Sequence, residues 1–250
     1  MAPNCVKPPP TFAVEHACLV AGYGLIAGVD EVGVGAIVGP LIAAAVVLPL
    51  PHHGSGLDHE LAWLASLLAE VRDSKQLKRE QRERLAALIS VAAAPHIGIG
   101  VVEVPELGRI GNQARATSVA TARALDALPT PPDIVLLDGT TAIDTGELPS
   151  VVVGKRWNGT TSVSIAAASI IASVTHHHIM VEYGTLYPTY GFQRHDGNPS
   201  PAHVAALAHD GPSPVHHPHH RLVRAARRGT GEEVGGAPSV ERGMASSHIS

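Results

Sequence analysis

The chain has 250 residues, of which 45% are hydrophobic and 3% aromatic, and its formal net charge is -4 with histidine neutral. This composition supports a globular core of small side chains, and it argues against a non-specific polycationic nucleic-acid binder without excluding a local basic groove. The two cysteines, Cys5 and Cys18, form no C-x-x-C pair, so neither a disulfide framework nor a cysteine zinc site is indicated and we expect a cytoplasmic protein.

Three strands are predicted in the first part of the chain. Short β-branched segments bounded by breaker residues lie over residues 25–32, 41–48 and 97–104, and their order favours an antiparallel meander. The uncharged stretch 32–50 is nearly long enough to cross a bilayer, but its three glycines and two prolines favour strands joined by a turn. We therefore expect no membrane span, and the prolines at positions 8–10 argue against a signal peptide.

Helices then alternate with strands. Amphipathic periodicity predicts helices over residues 79–91 and 112–128. Strands are predicted over 134–137 and 150–153, and a long helix over 162–187 follows them. This order of elements describes an α/β domain with a mixed sheet.

The two ends of the chain differ from its middle. Residues 1–12 and 224–250 hold few large apolar side chains and therefore lack the means to pack a core. We predict a flexible N-terminus over 1–12, one main domain over 13–223 and a disordered tail over 224–250.

Two adjacent carboxylates interrupt a long apolar run. Asp30 and Glu31 lie in the segment G-V-D-E-V-G-V-G-A-I-V-G-P over residues 28–40, before a turn that holds Gly33 and Gly35. Carboxylates in apolar surroundings are rarely buried unless they are paired or hold a cation, and glycines allow the backbone to approach a ligand closely. The segment is therefore either a cation site at a strand end or a solvated turn.

A third carboxylate, Asp138, follows an apolar strand and precedes a glycine. The carboxyl end of a strand is where α/β sheets tend to place functional groups, although an Asp-Gly turn explains the pattern equally well. With Asp30 and Glu31 it would form an oxygen-only site for Mg²⁺ or Mn²⁺, suited to phosphoryl chemistry. Because neighbours on a strand point to opposite faces, Asp30 and Glu31 can share this site only if the backbone departs from regular pleating near Val32 and Gly33.

Six segments, in order, resemble the ribonuclease HII family over roughly residues 23–223. They are the segment over 28–40 continued by L-I-A-A-A-V-V-L, D-S-K-Q-L at 73–77, L-L-D-G at 136–139, I-A-A-A-S-I-I-A at 165–172, Y-P-T-Y-G-F at 187–192 and G-P-S-P-V-H at 211–216. The resemblance implies a ribonuclease H-like fold, in which helices flank a mixed central sheet and the C-terminal part is helical.

The resemblance also implies a metal-dependent endonuclease. Such an enzyme hydrolyses the RNA strand of RNA–DNA hybrids, or single ribonucleotides embedded in duplex DNA, and leaves a 5′-phosphate and a 3′-hydroxyl. By this resemblance Asp30, Glu31 and Asp138 would be the catalytic residues and would bind one or two Mn²⁺ or Mg²⁺ ions. The substrate contacts in the matched motifs would be Gly33, Gly35 and Lys75. A hybrid or ribonucleotide-containing duplex is the expected partner, and a monomer is the expected state.

The chain departs from the family pattern at four places. Val34 stands where the family has an arginine between two glycines, and an ungapped alignment places Gly159 at a fourth carboxylate. An Arg-Asp pair of the long helix aligns with His176 and His177, and a tyrosine aligns with Asn198. These changes support an alternative, a catalytically impaired domain that binds nucleic acid or a protein. The preceding loop holds two carboxylates that are candidates to replace the fourth one, Asp144 and Glu147, although nothing in the spacing requires either of them.

Histidines are abundant, with 16 in the chain. His176, His177 and His178 are consecutive on a predicted helix and point about 100° apart, so one at most faces the carboxylates. His177 is the candidate, as a neutral ligand or proton shuttle, and the alternative is a surface or core histidine. The histidines around Pro218 match no zinc motif.

Basic residues form candidate phosphate contacts. They are Lys75, the residues from Lys78 to Arg84, Lys155, Arg156 and Arg194. For the helix that starts at Arg79, a solvated charged face is the alternative, and Lys75 is the stronger candidate because it lies in a matched motif.

Overall fold

A five-stranded mixed sheet forms the centre of the protein. The computed structural model describes residues 9–50, 68–94, 96–138, 143–153 and 162–230. The strands are β1 (Ile26–Val32), β2 (Leu41–Val47), β3 (Ile97–Val102), β4 (Ile134–Leu137) and β5 (Ser150–Val152). Their order in the sheet is β3-β2-β1-β4-β5, with β2 antiparallel to both neighbours and β4 parallel to both of its own. The predicted meander and mixed sheet are confirmed.

Seven α-helices are found in the described ranges. They are α1 (Ala13–Val20), α2 (Arg79–Ala92), α3 (Val104–Ile110), α4 (Gln113–Asp126), α5 (Val163–Leu186), α6 (Pro201–Asp210) and α7 (Arg221–Thr230). Single 3₁₀ turns lie over Ser74–Gln76 and Phe192–Arg194. The helices predicted over 79–91, 112–128 and 162–187 correspond to α2, α4 and α5.

Helices cover both faces of the sheet. On one face Ile42, Ala44 and Val46 of β2 pack with α2 and α5, and on the other face Ala43 and Ala45 pack with α4. Strand β2 is consequently buried along its whole length, which explains why its sequence is an uninterrupted apolar run rather than an alternating one.

Helix α5 lies unusually close to β1. A Cβ atom built on Gly28 would lie 2.2 Å from the carbonyl carbon of Ser164, so only glycine allows this approach. Helix α5 is also long and apolar enough to cross a membrane, but 78% of its most apolar stretch is buried inside the protein.

Helix α3 was not predicted. The strand expected over residues 97–104 ends at Val102, because Pro105 lies in the first turn of a helix, where its missing N–H has no consequence. This helix ends at Gly111, whose φ of +63° is left-handed and favours glycine. Asn112 then caps α4 by accepting a hydrogen bond from the Arg115 N–H at 3.0 Å.

Ordered structure extends beyond both predicted domain ends. Thr11 forms a parallel bridge with Ser162, and helix α7 continues past residue 223 to Thr230. In α7, Leu222, Val223 and Ala226 share a face that packs against Ile37 and Leu207. The predicted boundary at residue 223 therefore falls inside a helix, and the structure leaves residues 1–8 and 231–250 undescribed.

Candidate active site

The three predicted carboxylates lie at one edge of the sheet. Val29 of β1 pairs with Leu137 of β4 in a parallel ladder, so Asp30 and Asp138 each follow one member of the same pair. Glu31 is the next residue of β1 and pairs with Ala43 of β2. The arrangement places all three at the carboxyl ends of two adjacent parallel strands, where α/β sheets bind ligands.

The backbone of β1 stays regular up to Val32. Asp30, Glu31 and Val32 pair in unbroken register with β2, and the departure comes only at Gly33, whose φ is +94°. A Cβ atom at Gly33 would lie 2.6 Å from the Pro40 carbonyl oxygen, so glycine is required there. Asp30 and Glu31 both line one cleft although they lie on the regular part of the strand, and the predicted irregularity begins after both of them, at Gly33.

One cleft of about 430 Å³ contains the predicted site. Its lining includes the predicted substrate contacts Gly33, Gly35 and Lys75, together with Val34 and Asn198. The other polar and charged residues that line it are Asp30, Glu31, Asp138, Ser74, Arg82, Ser169, Ser173, His176 and Asp196. The fold therefore brings together residues from β1 and the turn after it, the end of β4, the 3₁₀ turn over Ser74–Gln76, α2, α5 and the loop after Phe192–Arg194.

Asp30 is an acid in unfavourable surroundings. Burial raises its pKa to about 7, and the neighbouring charges of Glu31 and Asp138 add to that rise. Hydrogen bonds from the Ser169 hydroxyl and from the Glu31 N–H, the latter 2.9 Å from Asp30 Oδ1, oppose the rise. A cation would relieve the repulsion among these three carboxylates, which we call the carboxylate cluster.

Glu31 is influenced by both signs of charge. Burial and the Asp138 carboxylate raise its pKa, whereas the Lys75 ammonium lowers it. Lys75 follows Asp73, whose Oδ1 accepts the Lys75 N–H at 3.0 Å and fixes the 3₁₀ turn. The predicted lysine therefore lies within electrostatic reach of the carboxylate cluster.

One face of helix α5 lines the cleft. Ser169, Ser173 and His176 are spaced four and three residues apart, which places them on one side of the helix. Arg82 Nη1 donates to Ser173 Oγ at 2.6 Å and thereby positions a guanidinium from α2 at the cleft. Arg82 falls within the predicted phosphate contacts from Lys78 to Arg84. Ser169 and Ser173 were not predicted as cleft residues, although the i, i+4, i+7 spacing was available to find the row on α5.

The predicted auxiliary residue His177 occupies a different place from the one expected. His176 lines the cleft, whereas His177 Nδ1 lies 2.6 Å from Oδ1 of Asp196, a cleft residue. The reason is the phase of the helix, since His176 and not His177 completes the row of Ser169 and Ser173. Burial lowers the pKa of His176 to about 4, so its imidazole is neutral at physiological pH.

Beside the cleft, two buried histidines form a neutral pair, which we call the imidazole pair. His203 Nδ1 donates to the Asn198 carbonyl at 2.9 Å, so His203 Nε2 is an acceptor for His216 Nε2 at 3.1 Å. His216 Nδ1 then accepts the Ser213 N–H at 2.9 Å. Each ring is fully bonded only when neutral, and burial lowers the pKa of both.

A second pocket adjoins the cleft. It has a volume of about 420 Å³ and shares Val34, Gly35 and Ala36 with the cleft. Three of the histidines around Pro218 and one arginine line it: His217, His219, His220 and Arg221. The sequence placed these residues only in a histidine-rich loop, because their proximity to Gly35 depends on the tertiary fold.

Several sequence predictions concern residues outside the described ranges. Gly159, Lys155 and Arg156 are among them. Of the two acids offered as replacements for a fourth carboxylate, Asp144 is exposed and accepts the Gly146 N–H, and neither it nor Glu147 lines the cleft.

The donor set fits a hard divalent cation. Carboxylate oxygens are the ligands preferred by Mg²⁺ and Mn²⁺, and three carboxylates line this one cleft. In the part of the chain that the structure describes, no three His, Cys, Asp or Glu side chains already form a metal cage. Mg²⁺ sites commonly consist of one or two carboxylates completed by water and phosphate, so a closed cage is not required.

The mixed sheet with helices on both faces places the protein in the ribonuclease H-like fold class. The ribonuclease H2 from Pyrococcus horikoshii OT3 has this fold, with a TM-score of 0.63 and 22% identity over 82% of this chain and 97% of its own. The Bst-RNase HIII solved in complex with Mn²⁺ is similar, with a TM-score of 0.62 and 21% identity over 85% of this chain and 72% of its own.

The chain belongs to the ribonuclease HII family. The profile of that family, described as Ribonuclease HII, matches residues 27–225. A Ribonuclease HII from Geobacter sulfurreducens is 40% identical over 86% of this chain and 91% of its own. One from Granulibacter bethesdensis is 42% identical over 80% of this chain and 85% of its own. The predicted family, fold and enzyme class are confirmed, and with them the function of a metal-dependent ribonuclease acting on RNA–DNA hybrids.

Proposed function

We propose that Asp30, Glu31 and Asp138 are the catalytic carboxylates of this ribonuclease and that they hold Mg²⁺ or Mn²⁺. The single observation that carries the assignment is their position at the carboxyl ends of β1 and β4, lining one cleft with the pKa of Asp30 raised to about 7. A similar fold has been solved in complex with Mn²⁺, which supports the choice of ion.

The reaction we propose is hydrolysis of the phosphodiester on the 5′ side of a ribonucleotide. Water forms a bond to phosphorus, the bond from phosphorus to the 3′-oxygen breaks, and the products carry a 5′-phosphate and a 3′-hydroxyl. When bound, a divalent cation neutralises charge on the phosphate and lowers the pKa of water. Substrates include the RNA strand of a hybrid and single ribonucleotides in duplex DNA.

The residues of the chain bind and orient the substrate. Gly33 and Gly35 both line the cleft. A Cβ atom at Gly35 would meet nothing within 4 Å, so at this position the backbone is open to close approach by a phosphate or sugar. Lys75 and Arg82 supply the positive charges of the cleft lining and are placed to contact phosphate oxygens. Val34 offers no guanidinium at the position between the glycines, so these two side chains carry more of the phosphate contact.

Cleavage assays test the assignment. The substrates are a labelled DNA duplex with one ribonucleotide and an all-RNA/DNA hybrid, each with Mg²⁺ or Mn²⁺. Asp30→Asn should lower the rate at least about 10²-fold, since a transition-state electrostatic contact is lost. Asp126→Asn is the matched control, because Asp126 is exposed at the end of α4 and does not line the cleft.

Each outcome has a defined meaning. Cutting 5′ to the lone ribonucleotide supports recognition of the single-ribonucleotide junction, and cutting of the hybrid alone limits the substrate class to hybrids. Full activity of Asp30→Asn would overturn the site assignment. Absence of metal-dependent cleavage in the natural protein would favour the catalytically impaired alternative. A monomeric state and a cytoplasmic location stay predictions.

A further inference from the structure

His176 is a buried polar side chain with one ring nitrogen that is unpartnered in the described structure. It is 2% exposed, and its Nε2 atom has no hydrogen-bond partner among the described residues. An unsatisfied buried polar atom costs about 1–3 kcal/mol, so such atoms usually have a ligand or a functional reason. His176 also lines the cleft of the carboxylate cluster, which places the unpartnered imidazole beside the site.

Asp196 is a fourth carboxylate in the same cleft. The side chain of Asp196 is 23% exposed, and its Oδ1 atom lies 2.6 Å from Nδ1 of the buried His177. The other carboxylate oxygen, Oδ2, is then available as a metal ligand. Asp196 has a backbone φ of +48°, and it is the only non-glycine residue with positive φ in the described ranges. Such a conformation is uncommon outside glycine and is enriched at functional sites, although aspartate tolerates it better than most residues.

The charges of the cleft favour a second cation. Four carboxylates, those of Asp30, Glu31, Asp138 and Asp196, share the lining with two basic side chains. Arg82 is one of these two, and its Nη1 is already bonded to Ser173. Asp196 and His176 are near enough to interact electrostatically. An acidic side chain and an unpartnered imidazole nitrogen therefore lie together on the α5 side of the cleft.

We propose that His176 and Asp196 form a second cation position in the cleft, which takes a transition-metal ion such as Mn²⁺ in preference to Mg²⁺. The inference rests on the proposed function, because it adds a nitrogen ligand to the cleft assigned to metal-dependent hydrolysis. Imidazole nitrogen is a common ligand for transition metals, whereas Mg²⁺ prefers oxygen. His177 is a positioning residue here, since it holds Asp196 through Oδ1.

Pulsed electron paramagnetic resonance of Mn²⁺ bound to the full-length protein tests this position without measuring activity. We expect the bound Mn²⁺ to show magnetic coupling to an imidazole nitrogen in the natural protein. The coupling should disappear in His176→Leu and persist in His178→Leu. His178 is the matched control because it lies two residues along the same helix, is exposed and contacts Glu83.

Titration with Mn²⁺ and Mg²⁺ by calorimetry gives the second readout. Asp196→Asn should weaken one class of Mn²⁺ site at least about tenfold while changing Mg²⁺ binding less. Asparagine also tolerates the left-handed backbone, so the variant keeps the local fold. Asp210→Asn is the matched control, because Asp210 also accepts from a neighbouring histidine, His209, outside the cleft.

The outcomes separate this proposal from the proposed function. Absence of nitrogen coupling at saturating Mn²⁺ in the natural protein would overturn the second position, and that result requires no variant to fold. Coupling that survives His176→Leu would overturn it as well. In both cases a loss of cleavage in Asp30→Asn would leave the carboxylate cluster assigned.

Discussion

The carboxylate cluster of the cleft and the buried imidazole pair are two groups of titratable side chains with opposite chemistry. Asn198 joins them, since it lines the cleft and its carbonyl accepts a hydrogen bond from His203. In the carboxylate cluster, burial first and then the neighbouring charges of Glu31 and Asp138 raise the pKa of Asp30 to about 7. In the imidazole pair, each described ring nitrogen has a partner, and both rings stay neutral.

The difference distinguishes a binding site from a structural support. Clustered carboxylates without cationic partners lower the stability of the fold, and proteins retain them at sites where a bound ligand neutralises their charge. A network that is satisfied internally stabilises the fold and needs no ligand. The imidazole pair packs against Tyr190 and Phe192, and we infer that it holds the Asn198 loop in place beside the cleft.

The largest expected effect comes from the carboxylate cluster. Asp138→Asn should reduce cleavage at least about 10²-fold, because it removes charge that stabilises the transition state. Its melting temperature should stay within a few degrees of the natural value, because Asp138 is exposed. Single-turnover cleavage and thermal denaturation measure the two effects. A variant that lost stability without losing rate would reverse the roles assigned to the two groups.

The second effect concerns the imidazole pair. His216→Ala should destabilise the fold by about 2–4 kcal/mol, because it opens a cavity and leaves His203 Nε2 and the Ser213 N–H without partners. Urea denaturation measures the loss, and cleavage per folded molecule should change less than about threefold. His209→Ala serves as the control, since that side chain is 86% exposed. An unchanged midpoint for His216→Ala would refute the structural role.

The smallest effect is a pair of opposite pH dependences in metal-free protein. The folded state holds the Asp30 proton more tightly than the unfolded state, so Asp30 adds stability as pH falls from about 7 towards 3.8. The pKa of His216 is 6.5 in the unfolded state and about 3 in the folded state. The unfolded state therefore binds the proton first, and stability is lost as pH falls below 6.5.

Unfolding free energies at pH 8 and pH 5 measure both contributions. Relative to Asp30→Asn, the natural protein should gain about 1–3 kcal/mol on going to pH 5. Relative to His216→Ala, it should lose about 1–2 kcal/mol over the same interval. Two slopes of the same sign would contradict the contrast between the two groups.

Local sequence patterns were sufficient to predict the strands and the carboxylate cluster. Asp30 and Glu31 lie near the end of the apolar strand β1, which the turn glycine at position 33 terminates, and Asp138 directly follows the apolar strand β4. Such signals are local because strand ends and turns depend on neighbouring residues. Helix α3 was missed because Val101, Val102 and Val104 continue a β-branched pattern across its start.

The polar residues from other elements were not predictable in the same way. Asp196 and Arg82 belong to a loop and to helix α2, and only the tertiary fold brings them to Asp30. His176 was within reach of a periodicity argument, but choosing between it and His177 required the phase of α5 relative to β1. Helix α7 was missed because its arginines mask an apolar face that contains Val223.

The close contact at Gly28 fixes the position of helix α5 relative to β1. The contact joins the backbone of Gly28 to that of Ser164. The cleft residues Ser169 and His176 lie about 7.5 Å and 18 Å farther along the helix axis. A methyl group at position 28, as in Gly28→Ala, must tilt the helix or move it away from β1. If the helix tilts, the displacement of its residues grows with their distance from Ser164. The position of a side chain that faces the cleft is thus set by the absence of a side chain at Gly28.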